Sequence, residues 1–462
     1  MNVCIIGGGP VGCAAAVSMR RLGYSVDIFE RYNDIRFVRP PSGRSINLVL
    51  TRRGLRLAED LGIASELMSH TVAIHGRMIH HLDGSTLYQP YGQNNECNYS
   101  IDRLVLNKFW LNQAIKEGCR VHFDHSVASL DVETGVIHFT HNDGRSQSSV
   151  HMSNYSVVFA SDGGGSVIRG SLQAANHISS TESMLRAGYK EMVFPTDSNG
   201  SYSMDPHSLH IWARGEHMVM ALANTDGSFT GTLFMDRASS NETHDSLESV
   251  SANLDTAKAF LDSNYPSAVK LMNPTDCVSN LVTFKEGILG TVRCTPWAAE
   301  INRTPICLIG DASHAIVPFF GQGVNSGFED VVVLRNHLAT RPISFESLRE
   351  YSVARKKDTD AIADLALENF EEMRSKVADE SFMRMKKLDQ AIMESFPQIY
   401  RTRYTLIMYT YNPYSACKEI GVIQERFLED LIKTHGDVLP ADIEVRIKEH
   451  ISPHIQRLGI VL

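Results

Sequence analysis

At 462 residues, with 43% hydrophobic and 21% charged residues, the chain has the composition of a soluble globular protein of two or three domains. Its formal net charge of -9 excludes a broad electrostatic attraction to phosphate backbones, so nucleic acid is not an expected partner. The sequence has no apolar run long enough for a membrane-spanning helix, and no basic residues precede the short apolar run at the N-terminus, as they would in a signal peptide. We therefore expect a soluble cytoplasmic protein.

The first thirty residues predict a strand, a helix and a second strand. VCII (Val3 to Ile6) is a short apolar run bounded by glycine, which is typical of a strand buried on both faces. Val11 to Leu22 carries small and apolar residues at helical spacing, and YSVDIFE (Tyr24 to Glu30) is strand-like. The N-terminus is therefore predicted to be a βαβ unit.

A glycine pattern joins the first predicted strand to the helix. Gly7, Gly9 and Gly12 fit GxGxxG, in which the glycines allow a tight turn, close backbone approach to a pyrophosphate, and close packing of helix on strand. Glu30 ends the second strand, where a carboxylate can accept hydrogen bonds from ribose hydroxyls. Together these features favour dinucleotide binding over a fortuitous glycine-rich turn.

Two later strands also end in polar turns. SVVFA (Ser156 to Ala160) precedes a segment that fits DGxxSxxR, and PICLI (Pro305 to Ile309) precedes Gly310 and Asp311. Three such strand ends indicate one sheet and a ligand extended across it, which favours non-covalently bound FAD over a nicotinamide dinucleotide. For Asp311 taken alone, a helix N-cap or a turn aspartate is the alternative.

The residue pattern changes twice in the rest of the chain. Between about Arg186 and Val292, short aromatic or β-branched segments alternate with turn residues, as in antiparallel sheet, and from about Ser344 the pattern is helical and charged. We therefore predict a mixed α/β fold with a Rossmann-like, mostly parallel FAD-binding domain (residues 1–185 and 293–343), an inserted antiparallel-sheet substrate domain (186–292), and a C-terminal helical region closing the active site (344–462).

Histidines and cysteines do not form a metal signature. Neither His80 and His81 nor His122 and His125 have a carboxylate or cysteine at helical spacing to complete a ligand set, so no metal site is predicted. The eight cysteines include no CxxC pair, as expected for reduced thiols of a cytosolic protein.

Longer motifs are spread over nearly the whole chain: GRSINLVL (Gly43 to Leu50), GRMIH (Gly76 to His80), PYG (Pro90 to Gly92), SLHIW (Ser208 to Trp212), GDASHAIVPFFGQGVN (Gly310 to Asn325) and ENFEEMRSKV (Glu368 to Val377). In these motifs the chain resembles the FAD-dependent aromatic hydroxylases, and among them the kynurenine 3-monooxygenase family. The C-terminal EHISPHIQRLGIVL is too polar for the membrane helix of longer members, so the resemblance implies the soluble form.

The resemblance implies a reaction. NADPH would visit and reduce the flavin, oxygen would add at C4a, and the hydroperoxide would convert L-kynurenine to 3-hydroxy-L-kynurenine. Because the substrate's aniline nitrogen activates the ring, no acid or base from the protein is expected, and the protein positions the ring and excludes water. The expected partners are this small molecule and O2, and the expected assembly is a monomer or homodimer.

The resemblance also implies which residues contact the flavin. Arg103 can pair with the pyrophosphate, although a solvated arginine at a helix start is the alternative. The helix opening at Gly323 would present its N-terminus to reduced flavin. Tyr32 replaces a family arginine, so that contact is not carried over. Together with the three glycines of the fingerprint, the predicted cofactor residues are Val11, Glu30, Arg31, Val49, Arg103, Val127, Asp311, Gly323, Val324 and Asn325.

The family's substrate contacts fall on Arg77, Tyr91, Asn369 and Tyr404. An arginine fork binds a carboxylate through two hydrogen bonds, and a tyrosine hydroxyl can add another. The aromatic run around Tyr404 would otherwise indicate packing. The predicted wall of the ring-binding space is Pro318, Phe319 and Phe320.

Asn369 has a further signal in the helical pattern. It shares one helix stripe with Ile362, Leu365 and Met373, so an amide stands where an apolar residue is expected. A buried amide needs hydrogen-bond partners, and either a polar ligand or neighbouring backbone can supply them.

Three other functions remain open at this stage. A related flavin hydroxylase would act on another aryl amino acid or on a substituted kynurenine. A flavin-dependent halogenase shares the glycine fingerprint, but its WxWxIP signature is missing. A non-catalytic flavin-binding sensor would not need the set of Arg77, Tyr91, Asn369 and Tyr404.

Overall fold

The computed structural model describes residues 1–38, 46–93, 96–239, 245–373 and 380–462. Parts of two motifs, Gly43 to Ser45 and Arg374 to Val377, lie outside these ranges. The strands of the described residues are β1 (Asn2–Ile6), β2 (Ser25–Phe29), β3 (Asn47–Leu50), β4 (Val72–Ile74), β5 (Gly76–His80), β6 (Thr86–Pro90), β7 (Asn98–Asp102), β8 (Arg120–His122), β9 (Ser126–Asp131), β10 (Val136–Thr140), β11 (Gln147–His151), β12 (Val157–Ala160), β13 (Ser179–Phe194), β14 (Ser208–Ala213), β15 (Met218–Ala223), β16 (Phe229–Asp236), β17 (Gly287–Thr295), β18 (Ala298–Ile301) and β19 (Thr304–Leu308).

Helices alternate with these strands and dominate the C-terminal part. They are α1 (Pro10–Arg21), α2 (Arg52–Asp60), α3 (Ala64–Met68), α4 (Arg103–Lys116), α5 (Val167–Ala174), α6 (Leu247–Val250), α7 (Leu254–Asn264), α8 (Pro266–Val269), α9 (Pro274–Thr283), α10 (Asp311–His314), α11 (Gly323–Thr340), α12 (Phe345–Glu371), α13 (Glu380–Ser395), α14 (Arg403–Tyr409), α15 (Tyr414–His435), α16 (Ile443–His450) and α17 (Ser452–Arg457), with short 3-10 turns at Met152–Asn154 and Pro318–Phe320.

A six-stranded sheet in the order β18-β19-β12-β1-β2-β8 forms the first layer. Its strands are parallel except for the β18–β19 pair, and the apolar residues of β1 are fully buried, as the uninterrupted run VCII predicted. The βαβ start and the assembly of one sheet from distant segments are confirmed. Strand β1 pairs with β2 on one side and with β12 on the other, so the order of the strands reverses at β1. In open parallel sheets, ligands bind at such a reversal, beyond the carboxyl ends of the strands.

A second, seven-stranded sheet has the order β17-β13-β16-β15-β14-β5-β6. It is antiparallel except where β14 pairs parallel to β5, with Leu209 opposite Arg77. This sheet takes β5 and β6 from residues 76–90, which the predicted boundaries assigned to the first domain. Such a pairing joins segments more than a hundred residues apart, so local periodicity cannot reveal it. The exact domain boundaries stay a prediction.

Smaller elements complete the fold. Strands β3-β7-β4 and β11-β10-β9 form two three-stranded sheets, and α12 to α17 pack into a core that also holds Phe319 and Phe320. The predicted fold class, with parallel sheet, antiparallel sheet and C-terminal helices, is confirmed. Within the described ranges, no helix has both the length and the apolar content needed to cross a bilayer.

Candidate active site

The glycine loop after β1 lies against the end of β2. Gly7 adopts φ +101°, which favours glycine, and its N–H donates to the Phe29 carbonyl at 2.8 Å. The Glu30 carboxylate accepts from the N–H groups of Gly8 at 2.6 Å and Tyr32 at 2.9 Å. Glu30 therefore holds the loop in place, and its oxygens face the same strand-end crevice.

Gly9 and Gly12 differ in what surrounds them. A Cβ at Gly12 would lie 2.0 Å from the Gly7 carbonyl oxygen, so this position requires the close packing of helix on loop. A Cβ at Gly9 would meet nothing within 4 Å, and Gly9 is the N-cap of α1. Open space at a helix N-terminus with bare backbone suits a pyrophosphate, so these residues fit the predicted dinucleotide.

The other two strand ends are tied together by a buried arginine. Arg169, in the DGxxSxxR segment, donates to the carbonyls of Gly164 at 2.6 Å and Ala312 at 2.9 Å. Gly310, at φ +60°, is the N-cap of α10, and Asp311 is the first residue of that helix. Asp311 is therefore not a helix N-cap. Asp311 is exposed, and its carboxylate has no hydrogen-bond or ion-pair partner among the described residues, which leaves it free for cofactor hydroxyls.

Asn325 joins the start of α11 to β3. Its Nδ2 donates to the carbonyls of Val49 at 2.8 Å and Gly321 at 2.7 Å, and its Oδ1 accepts from the N–H of Thr51 at 2.9 Å. The side chain is therefore fully engaged inside the protein. The first-turn N–H groups of α11, which begins at Gly323, remain available for a flavin.

The remaining predicted cofactor residues lie on separate elements. Val11 on α1 packs against Gly310 at the strand-end crevice. Arg31 is exposed, with its guanidinium carbon 4.6 Å from the Tyr32 ring centroid. Arg103 is exposed at the first position of α4, and Val127 is half-buried on β9. Val324, in the first turn of α11, packs against the main core.

Arg77 is a half-buried arginine that has no counter-ion in the described ranges of the chain. It lies on β5 with its guanidinium carbon 5.9 Å from the Tyr91 ring centroid. Its Nε is inaccessible to water and unbonded, and among the described residues the guanidinium makes no hydrogen bond or ion pair. Since a buried positive charge is costly unless it is paired, this arrangement suits an anionic ligand.

Two tyrosines stand beside this arginine. The ring centroids of Tyr91 and Tyr404 are 5.6 Å apart, and that of Tyr404 is 6.1 Å from that of Phe320. Burial raises the pKa of both hydroxyls above the usual range, although Arg77 opposes the shift. Both tyrosines are therefore neutral at physiological pH and can donate hydrogen bonds.

Asn369 connects α12 to the predicted ring wall. Its Nδ2 donates to the Phe319 carbonyl at 2.7 Å, which is the backbone partner that the sequence left open. Its Oδ1 has no donor among the described residues. The Phe319 ring stacks on Phe370 at 4.4 Å, and it lies 5.3 Å from Phe234. Contacts thus link Arg77 to Tyr91, Tyr91 to Tyr404 and Tyr404 to Phe320, while Asn369 is bonded to the neighbouring residue Phe319.

Sequence reasoning missed two polar residues here. Asn98, at the start of β7, places its Nδ2 3.5 Å from the Tyr404 hydroxyl and 3.4 Å from the Tyr409 hydroxyl. Gln322 is fully buried and accepts from the Tyr414 hydroxyl at 2.8 Å. Gln322 stands inside the PFFGQGVN motif, whereas a lone asparagine at a strand start has no signal in the sequence.

Comparisons with known proteins agree with this geometry. The sequence matches the FAD binding domain family over residues 1–364. The kynurenine 3-monooxygenases of Flavobacterium psychrophilum and Myxococcus xanthus are each 34% identical to it, over 94% and 97% of this chain and 94% and 93% of theirs. The chain belongs to the kynurenine 3-monooxygenase family. As a member of this family it is an FAD-dependent monooxygenase that uses O2 and a small-molecule substrate.

Solved structures show the same fold outside the kynurenine 3-monooxygenase family. A 2-methyl-3-hydroxypyridine-5-carboxylic acid oxygenase aligns with TM-score 0.60 at 17% identity, over 81% of this chain and 92% of its own. The tetracycline destructase Tet(51) aligns with TM-score 0.58 at 16% identity, over 85% and 95%. At these identities the likeness concerns the fold alone.

A substitution at Gly9 tests whether this glycine contacts the cofactor in this member of the kynurenine 3-monooxygenase family. Gly9→Ala is expected to preserve the fold but to weaken FAD binding about tenfold or more, because the methyl group would occupy space meant for the pyrophosphate. FAD titration of the apoprotein, followed by fluorescence, measures this. Gly170→Ala, a helical glycine of α5 with nothing within 4 Å, is the matched control and should leave FAD affinity unchanged. Equal affinities for the two variants would contradict the assignment of Gly9.

Proposed function

We propose that this enzyme hydroxylates L-kynurenine to 3-hydroxy-L-kynurenine, with NADPH as the reductant that visits the flavin. The names of its relatives support the proposal, and one observation carries it: the guanidinium of Arg77 is half-buried and has no ion-pair partner within the described part of the chain. A neutral aromatic substrate would leave that charge without a partner. An aryl amino acid such as kynurenine supplies the missing carboxylate.

The side chains around Arg77 can bind the amino acid end of this substrate. The guanidinium fork takes the α-carboxylate, and the neutral hydroxyls of Tyr91 and Tyr404 add donors on the same side. The free Oδ1 of Asn369 is an acceptor for an amino group of the substrate. This division of donors and acceptors suits a zwitterion.

The aromatic end of the substrate requires a dry, shaped space. Phe319 and Phe320 are nearly buried, and Asn369 holds the Phe319 carbonyl, so the wall formed with Pro318 is fixed in position. Bound FAD, once reduced, supplies activated oxygen, and the chain's part is to orient the ring and exclude water. The N-terminus of α11 offers unbonded N–H groups to the negative charge of the reduced cofactor.

A kinetic experiment tests the function. The purified protein should be yellow, NADPH oxidation should accelerate when L-kynurenine is added, and mass spectrometry should find a product heavier by one oxygen atom. A panel of aryl amino acids and ring-substituted kynurenines, with NADH in parallel, tests the specificity for substrate and reductant. If NADPH oxidation is indifferent to every aromatic ligand, the chain is a flavin-binding sensor instead. Gel filtration distinguishes the proposed monomer from the proposed homodimer.

A further inference from the structure

Asn98 is a buried amide placed between two tyrosine hydroxyls. It is 2% exposed, and its Nδ2 lies 3.5 Å from the Tyr404 hydroxyl oxygen and 3.4 Å from that of Tyr409. Its Oδ1 is inaccessible to water and has no hydrogen-bond partner among the residues that the structure describes. Because a buried polar atom without a partner is unfavourable, an amide at this position indicates that its N–H groups serve a purpose.

Asn98 and the predicted substrate residues are connected to one short stretch of backbone. Asn98 pairs with Ile74, the last residue of β4, and the chain continues through His75 into β5, which carries Arg77. The N–H of Tyr91 donates to the His75 carbonyl at 2.8 Å. The amide of Asn98 therefore has a fixed position relative to the guanidinium and the two tyrosines around it.

The hydrogen atoms in this cluster can be counted. An amide nitrogen donates two protons, so Asn98 can donate one to each tyrosine oxygen. The Tyr404 proton must then point elsewhere. Its neighbours are the Tyr91 and Phe320 rings and Arg77, and a guanidinium cannot accept. Among the described residues its one acceptor is the Tyr91 hydroxyl, which itself lies beside Arg77, so the Tyr404 proton points toward the guanidinium and is available to an anion held there.

We propose that Asn98 is a positioning residue that donates to the hydroxyl oxygens of Tyr404 and Tyr409 and thereby directs the Tyr404 proton toward Tyr91 and Arg77, where the substrate carboxylate binds and accepts it. The proposal rests on the proposed function, because that anion is the carboxylate of the amino acid substrate. Asn98 itself does not contact the substrate. It acts through the direction of one hydroxyl group.

A double-mutant cycle tests this role. Asn98→Leu keeps the approximate side-chain size, and it is expected to raise the apparent KM for L-kynurenine about 10- to 100-fold, as loss of a hydrogen bond to a charged group would. The value of kcat should change by no more than about twofold, because the interaction is with the carboxylate and not with the reacting ring. In a Tyr404→Phe background, Asn98→Leu should add almost nothing. In a Tyr409→Phe background it should retain its full effect.

The same cycle exposes a merely structural role. If Asn98→Leu acts by loosening the packing, its effect on KM will be as large in the Tyr404→Phe background as in the wild type, and the proposal is overturned. An unchanged KM for Asn98→Leu also overturns it. FAD content and the midpoint of thermal unfolding are measured for every variant.

A second measurement does not depend on the substrate. In enzyme labelled with 15N-asparagine, the side-chain NH2 signal of Asn98, identified by its loss in Asn98→Leu, should shift in both Tyr404→Phe and Tyr409→Phe. Signals that do not move would contradict the donor arrangement. If the wild type neither binds nor oxidises L-kynurenine, the proposed function fails, whereas this spectrum still decides whether Asn98 donates to the two hydroxyls.

Discussion

Replacing Arg77 with methionine is expected to raise the apparent KM for L-kynurenine by about 30-fold or more, which corresponds to about 2 kcal/mol or more. Methionine keeps much of the apolar stem but removes the cation placed against Tyr91, so the carboxylate would be desolvated without a partner. FAD content should be unchanged, because Arg77 lies on the second sheet, away from the glycine loop after β1. Steady-state kinetics together with the flavin absorbance of the purified variant measure both quantities.

Two comparisons make this result specific. Arg77→Lys retains the charge without the fork, and it should fall between the wild type and the methionine variant. Arg186→Met is the matched control, because Arg186 lies on β13 of the same sheet and is mostly exposed. Its Nη2 is 3.8 Å from Oδ2 of Asp236, which is a loose ion pair. A KM for Arg77→Met as low as that of Arg186→Met would remove Arg77 from the substrate site.

Replacing Arg355 with methionine is expected to lower the free energy of unfolding by about 3–5 kcal/mol. Arg355 is 3% exposed and contacts the carboxylates of Glu329 and Asp330, each at 2.9 Å. Burial by itself would raise the pKa of Asp330, but His314 and Arg355 together lower that pKa below its usual value. Without Arg355, Glu329 keeps its contact with Arg53, whereas Asp330 keeps His314 and the N–H of Gly310 but no permanent cation.

This ion network also supports the cofactor crevice. Asp330 accepts a hydrogen bond from the N–H of Gly310 at 3.1 Å, directly before Asp311. Arg355→Met should therefore lose FAD more readily on dilution as well as unfold at a lower urea concentration. A chain of this size with several domains need not unfold in two states, so urea midpoints are compared side by side at saturating FAD.

The control for this second prediction is an exposed ion pair. Arg446→Met removes the partner of Asp442, the N-cap residue of α16, and such an exposed pair contributes little to stability. Its midpoint should stay close to that of the wild type. If Arg355→Met is no less stable than Arg446→Met, the buried ion network does not stabilise the packing of α11 against α12.

The sequence was sufficient wherever the signal is local. The strand, glycine loop, helix and terminal acid from Val3 to Glu30 follow one another within thirty residues, and periodicity together with glycine spacing predicts each of them. The same holds for β12 and β19, which precede Asp162 and Asp311, because an uninterrupted apolar run followed by a polar turn is a local pattern. These signals were enough to predict the parallel sheet and its cofactor crevice.

Only the tertiary structure decided how the substrate side is built. The pairing of β5 with β14 puts Arg77 on the second sheet, where its guanidinium has no counter-ion among the described residues. No local sequence pattern encodes such a missing partner. Asn98 contacts Tyr404 and Tyr409, which lie more than three hundred residues away in the sequence. The side-chain amide of Asn325 is hydrogen-bonded to the backbone of Val49, Thr51 and Gly321. Hydrogen bonding between distant segments depends on how the layers pack, and a single sequence read by spacing does not contain that information.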